Sequence, residues 1–168
     1  MWLTAGFEMD AGFQPHPVNA VVRRRKNMNT QTTGLPEQYT AWLSALPPSH
    51  LVAFKKNQWQ FYSLDELQAP IRINRSRVTN ATQLGAYVEM YQSHGAAAAD
   101  GPKKTKFSFE RLANSIAIAV ENEEILFTDP SDQFSMWRLQ PEDCEVRPLN
   151  CNIFDFIAAA SVEDLDAD

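Results

Sequence analysis

Three short apolar segments, separated by turns, dominate the last third of the chain. Residues 116–120 contain three β-branched side chains, which suit a buried strand. Residues 121–123 predict a turn, and residues 125–127 predict the strand that returns beside the first. The sequence Asp-Pro-Ser-Asp at 129–132 is typical of a tight turn, because aspartate accepts a hydrogen bond from the backbone downstream and proline fixes φ. Residues 134–139 then predict a third antiparallel strand.

The earlier part of the chain predicts a helix followed by a hairpin. Pro36 can occupy a first helical turn, and Pro47 and Pro48 cannot continue a helix. Residues 51–54 and 59–62 read as two short strands around a polar turn. The helix is indicated by four apolar residues at the spacing of one helix face: Tyr39, Trp42, Leu43 and Leu46.

Side-chain caps predict three further helices. Residues 63–66 form a capping box, in which serine and glutamate each bond the other's backbone N–H, so a brief helix is expected over residues 64–68. The same kind of start at Asn80 predicts a helix over residues 81–93. Asn152 can cap a last helix near the end of the chain.

Charge is distributed unevenly along the chain. The 168 residues carry 15 basic and 21 acidic groups, a formal charge of −6. Residues 1–28 contribute four basic and two acidic groups, and residues 29–168 contribute 11 and 19, so the second part carries −8. We expect residues 1–33 to be a flexible leader, residues 34–160 to form the folded domain, and residues 161–168 to be a frayed acidic tail.

This composition argues against several classes of protein. An acidic body is repelled by a phosphate backbone, so direct binding of nucleic acid is not expected. No apolar stretch approaches the roughly 18 residues that span a bilayer, and the first residues lack the pattern of a secretory signal. Two cysteines do not suggest a disulfide framework. We therefore expect a cytoplasmic protein that does not bind membranes.

The sequence shows no recognisable catalytic or cofactor motif. His16, His50 and His94 are scattered over unrelated contexts, and Cys144 and Cys151 lack the spacing of a zinc or redox pair. Phosphate-binding glycine loops and nucleophile-elbow sequences are also missing from the sequence. We expect no cofactor and no bound metal.

Carboxylates near the predicted sheet are the candidate site. Paired carboxylates can perform acid/base chemistry or bind a hard cation. They can equally form turns on a solvated surface, or provide an acidic docking surface that speeds the encounter with a basic partner. The candidate partner-binding residues are Glu121, Glu123, Glu124, Asp129 and Asp132.

The order of motifs over residues 34–160 resembles the SMI1/KNR4 family, also called the SUKH superfamily. The chain departs from it at Pro47 and Pro48, where the family commonly has a glycine-containing turn. The motifs are LPEQY at 35–39, Trp42 and Leu43, WQFYSLDEL at 59–67, IAIA at 116–119, ILFTDPSD at 125–132, FSMW at 134–137 and IFDFI at 153–157.

This resemblance implies both a fold and a function. The fold would be a single α+β domain with a twisted, mostly antiparallel sheet and helices packed around it. Bacterial members are commonly immunity proteins that neutralise a cognate toxin, often a nuclease or a deaminase, and fungal relatives act in cell-wall regulation. We therefore expect a non-enzymatic protein that binds a toxin. A regulatory or scaffolding protein, and an enzyme using the region of Asp129 and Asp132, remain alternatives.

Overall fold

The structure is a computed structural model that describes residues 34–94, 101–102 and 107–167. The predicted leader, residues 1–33, lies outside the described residues. A short 3₁₀ helix, Pro130–Asp132, lies between the sixth and seventh strands. In chain order the helices and strands are α1 (Glu37–Ser44), β1 (His50–Phe54), β2 (Asn57–Phe61), α2 (Leu64–Gln68), β3 (Pro70–Ile73), β4 (Ser76–Thr79), α3 (Gln83–Ser93), α4 (Phe109–Asn114), β5 (Ile116–Glu121), β6 (Glu124–Asp129), β7 (Ser135–Gln140), β8 (Glu145–Asn152), α5 (Ile153–Ala159) and β9 (Ser161–Asp164).

Most of the strands form one large sheet. Its seven strands lie in the order β8-β7-β6-β5-β2-β1-β9, while β3 and β4 pair separately as a two-stranded ribbon. Each of these pairings is antiparallel. The predicted α+β class with a mostly antiparallel sheet is therefore confirmed, and so are the three consecutive strands β5, β6 and β7.

The sheet has a hydrophobic core on each face. Successive side chains of a strand point to opposite faces, and on β6 Leu126 belongs to one core and Phe127 to the other. The first core packs β1, β2 and the middle of the sheet against α1, α2 and α5, around Trp59 and Phe156. The second core covers β5 to β8 with α3 and α4. Helices thus pack on both faces of the central strands.

The sheet curls around the first core. Phe54, at the end of β1, lies against Phe156 of α5 with their ring centroids 4.5 Å apart. The neighbouring Lys55 donates a hydrogen bond from Nζ to the carbonyl oxygen of Leu149 in β8, at 2.9 Å. Four strands separate β1 from β8 in the sheet order, so this contact requires the two ends of the sheet to approach each other across the core.

Two of the predicted helix caps are confirmed. The Ser63 hydroxyl accepts a bond from the backbone N–H of Glu66 at 3.2 Å, and the Glu66 carboxylate accepts one from the Ser63 N–H at 2.8 Å. The Asn152 side chain accepts hydrogen bonds from the N–H groups of Phe154 and Asp155, both at 2.9 Å. These bonds satisfy N–H groups that a first helical turn leaves without a partner.

The cap predicted at Asn80 is wrong. Helix α3 begins at Gln83, and its N-cap residue Thr82 makes no side-chain capping bond. Asn80 instead donates its side-chain amide to the carbonyl oxygen of Glu66 at 2.8 Å, which ties this segment to the end of α2. The Asn80 side chain, which its spacing assigned to the cap of α3, therefore bonds a carbonyl oxygen of α2 instead.

The prediction of a frayed acidic tail is wrong for residues 161–164. These residues form β9, which pairs with β1 at the edge of the large sheet. Beyond the strand, the N–H of Leu165 donates to the carbonyl oxygen of Ser49 at 3.1 Å. Backbone pairing with β1 holds the segment in place although all four residues of β9 are exposed.

A tyrosine in the first core has an unsatisfied hydroxyl. Tyr39 is fully buried, and its hydroxyl has no hydrogen-bond partner among the described residues. Burial raises the pKa of Tyr39 well above its ordinary value of 10.0. Tyr91, in the second core, provides a natural comparison because its hydroxyl donates to the carbonyl oxygen of Pro141 at 2.8 Å.

Replacing Tyr39 with phenylalanine is expected to keep or raise the free energy of unfolding at pH 7, by up to about 1 kcal/mol, because the lost hydroxyl is desolvated and unbonded. The matched substitution Tyr91→Phe should lower it by about 1 kcal/mol, since it removes a made hydrogen bond. Urea denaturation of both variants measures the difference. A loss of more than about 1 kcal/mol for Tyr39→Phe would contradict the unbonded hydroxyl.

The same substitution should change the response to alkaline pH. Above about pH 10 the unfolded chain loses the Tyr39 proton while the native chain keeps it, so stability falls as pH rises. Tyr39→Phe removes this contribution and should make the decline between about pH 9 and pH 11 shallower. Urea midpoints measured across that range test the sign, and an unchanged slope would contradict it.

Candidate functional site

The five predicted carboxylates do not converge on one site. Glu121, Glu123 and Glu124 lie at the turn between β5 and β6, whereas Asp129 and Asp132 lie at the other end of β6. That strand is six residues long, which separates the two groups by about 16 Å. Joint acid/base chemistry needs carboxylates that face each other in a concave pocket, and this arrangement does not provide it.

Asp129 has a structural role in the turn after β6. Its side chain is 2% exposed and accepts a hydrogen bond from Arg111 Nε at 2.9 Å. The backbone N–H and hydroxyl of Ser131 donate to its other oxygen at 2.9 and 2.7 Å. The Arg111 guanidinium also lies over the ring of Phe107, 4.4 Å from its centroid. Asp129 therefore joins α4 to the end of β6. Its bond from the Ser131 N–H confirms the predicted turn.

The glutamates at the opposite turn differ in what they contact. Glu124 pairs with Arg138 at 3.0 Å, on the neighbouring strand β7. Glu121 accepts a hydrogen bond from the backbone N–H of Gln58 at 3.1 Å, which joins β5 to β2. Glu123 is exposed at the tip of the turn. The role of all five carboxylates in binding a partner stays a prediction.

A pocket of about 610 Å³ lies elsewhere, where the end of α1, the following turn, β2 and α2 meet. Leu46, Pro47 and Leu64 contribute apolar walls, and Asp65 and Glu66 of α2 contribute carboxylates. The sequence does not mark these residues as one site, because the chain segments that form the pocket are brought together only by the fold. Their one local signal was the capping box at the start of α2.

His50, which also lines this pocket, has one ring nitrogen without a hydrogen-bond partner among the described residues. Its Nδ1 lies 2.7 Å from the carbonyl oxygen of Pro47, and since a carbonyl can only accept, Nδ1 carries the proton. In the neutral ring Nε2 is then an acceptor, and it is buried without a hydrogen-bond partner among the described residues. The ring is thus held in place by one nitrogen while the other stays unsatisfied.

The pocket suits the side chain of a lysine or arginine. Such a side chain has an apolar stem, which matches the walls at Leu46 and Leu64, and a cationic head that only donates hydrogen bonds. The groups available to receive it are acceptors, the carboxylates of Asp65 and Glu66. Glu66 already takes part in the capping box, so Asp65 supplies the uncommitted negative charge.

Neither a protein-family model, nor a curated protein, nor a solved structure matches the chain. Within residues 34–94, 101–102 and 107–167, no group of three or more histidine, cysteine, aspartate or glutamate side chains is placed to hold a metal ion. No helix in this part of the chain is long and apolar enough to cross a membrane. Cys144 and Cys151 form no disulfide, and burial raises the pKa of the Cys151 thiol.

Two aspartates in the turn after β6 should differ sharply in their effect on stability. Asp129→Asn should lower the free energy of unfolding by about 2–3 kcal/mol, because it removes the charge from a carboxylate that is 2% exposed and leaves Arg111 with only its longer pair to Asp132. Asp132→Asn should cost less than about 0.5 kcal/mol, since that side chain is 55% exposed and its ion pair is weak. Urea denaturation compares them, and equal losses would contradict the structural role of Asp129.

Proposed function

We propose that this protein is a non-enzymatic, cytoplasmic immunity protein that binds and neutralises a cognate bacterial toxin, and that it belongs to the SMI1/KNR4 family. The observation that carries the proposal is the pocket beside α2, in which apolar walls meet carboxylates on an acidic protein. The motif order over residues 34–160 supports the family assignment, and the curled antiparallel sheet with packed helices is compatible with it.

Charge complementarity favours a basic partner. Residues 29–168 carry 11 basic and 19 acidic groups, so their formal charge is −8. Toxins that cleave or modify nucleic acids need basic grooves to hold the phosphate backbone. An acidic protein can occupy such a groove and exclude the substrate. Attraction between opposite charges also speeds the encounter, which matters for a protein that must reach a toxin before the toxin acts.

The pocket provides a specific contact within that general attraction. One lysine or arginine of the toxin would lie with its stem against Leu46 and Leu64 and its head toward Asp65. Charged side chains that pair at the centre of an interface contribute to both affinity and orientation.

The proposal is tested by expressing the chain together with toxins encoded beside its gene. Neutralisation predicts that growth is restored and that the two proteins copurify. Failure to restore growth, or to bind, with every neighbouring toxin would remove the immunity function. Binding to a chromosomal protein that is not a toxin would favour the regulatory or scaffolding alternative instead.

Asp65→Lys should weaken toxin binding at least about tenfold, because it places a cation where the toxin's cation is expected. Glu37→Lys is the matched control, since Glu37 is also an exposed acid in the first turn of a helix but lies outside the pocket. Surface plasmon resonance gives both affinities. If the two variants bind alike, the pocket is not the contact, whatever the outcome of the growth assay.

The association rate should also depend on salt. Raising ionic strength from about 0.05 to 0.3 M should slow association of the native protein several-fold, because screening weakens long-range attraction. The dissociation rate should change less. Stopped-flow measurements separate the two rates, and an association rate independent of salt would contradict electrostatic docking.

A further inference from the structure

The two edges of the large sheet are built differently. Strand β8 forms one edge and has a proline, Pro148, opposite Trp137 of β7. Proline has no N–H and is tolerated in an edge strand only where its nitrogen faces away from the neighbour. Asn150, further along β8, has a positive φ of 56°, which interrupts the extended backbone. The β8 edge is therefore unsuited to pairing with another strand.

Strand β9 forms the other edge, and within the described part of the chain its outer backbone groups face no further strand. Leu165 N–H donates to the carbonyl oxygen of Ser49, on the chain just before β1. In an antiparallel pair the residues alternate between facing the partner and facing away. Val162 and Asp164 consequently direct their N–H and C=O groups outward. Among the described residues no strand pairs with β9 on that side.

The side chains along this edge combine exposed apolar groups with acids. Val162 is 41% exposed and Leu165 is 51% exposed, which makes them two of the three large hydrophobic side chains that the described part of the chain exposes. The same segment carries three carboxylates: Glu163 and Asp164 stand between the two apolar residues, and Asp166 follows them. Charged residues on an edge strand oppose uncontrolled pairing, and in this strand the charge has a single sign.

The sign of that charge determines which strand can pair. A second copy of the chain would bring its own Glu163 and Asp164 against the same residues, and like charges opposite each other destabilise a strand pair. A partner strand that carries lysine or arginine would find opposite charges, together with Val162 and Leu165 as apolar contacts. Charge complementarity thus selects a basic partner over self-association.

We infer that β9 is a docking edge, at which an extended basic segment of a partner protein adds an eighth strand to the sheet. Backbone hydrogen bonds to Val162 and Asp164 would supply affinity, and the acidic side chains would supply selectivity. Asp164 is the register partner of His50, which lines the pocket, so the edge passes beside one residue of that pocket. The inference rests on the proposed protein-binding function and names the surface that it uses.

The test uses the full chain and a synthetic peptide, acetyl-Thr-Lys-Val-Arg-Val-Lys-Thr-amide. The native protein should bind it, and hydrogen exchange should show new protection of the outward N–H groups of Val162 and Asp164. A control peptide with the same sequence and N-methyl groups on alternate residues cannot form the ladder, and should bind at least tenfold more weakly. Equal binding of the two peptides, or protection confined to other strands, would overturn the inference.

Variants of the protein separate backbone pairing from charge. The double substitution Glu163→Lys and Asp166→Lys should weaken peptide binding about tenfold, whereas Glu142→Lys, at the exposed turn before β8, should change it less than twofold. Val162→Pro removes an outward N–H without removing a bond to β1, and should also weaken binding. If Val162→Pro disturbs the pairing of β9 with β1, the comparison of the charge variants still tests the inference. If Glu142→Lys and the double substitution weaken peptide binding equally, β9 is not the docking edge.

The outcome is distinguishable from that of the toxin assay. A peptide that protects β9, in a protein that neutralises no toxin, would support the edge and refute the immunity function. A double variant at Glu163 and Asp166 that still neutralises its toxin with native affinity would support immunity and refute the edge as its contact. Formation of a dimer through β9 in the native protein would overturn the selection of a basic partner.

Discussion

The short connection between the two edges of the sheet constrains the rest of the fold. Between β8 and β9 the chain has little more than α5, whose seven residues rise about 10 Å. The edges of a flat seven-stranded sheet would lie about 29 Å apart. The sheet must therefore curl until α5 can bridge its concave face. Phe156 of α5 meets both Phe54 and Phe61 there, so one cluster of aromatic rings closes the curl.

The curl also determines which surfaces are left for a partner. The concave face is filled by the first core, and the opposite face of β5 to β8 is covered by α3 and α4. Within the described residues, the surfaces that remain accessible are the two edge strands, the turns, and the pocket between α1 and α2. Because α5 brings the chain back beside β1, the acidic segment that follows it lies next to His50 and that pocket.

Local signals in the sequence predicted local structure well, and pairings between distant segments poorly. The capping box at Ser63 and the cap at Asn152 succeed because both partners lie within three residues. The sequence did not predict β8, because Pro148 interrupts its pattern. It did not predict β9, because an edge strand with no buried side chain has no hydrophobic period. Strands β3 and β4 are four residues each, and α4 six, too short to give a periodic signal.

The same limit applies to the candidate site. A sequence reports how many carboxylates a chain has, but not which of them the fold already uses. The Asp129 carboxylate already accepts hydrogen bonds from Arg111 and Ser131. Glu163 and Asp164, which the sequence placed in a frayed tail, instead lie on a paired edge strand. On such an edge a negative charge has two effects, since it repels another copy of the chain and attracts a basic strand. An acidic edge can therefore stay unpaired in the free protein and still be available for a cationic partner.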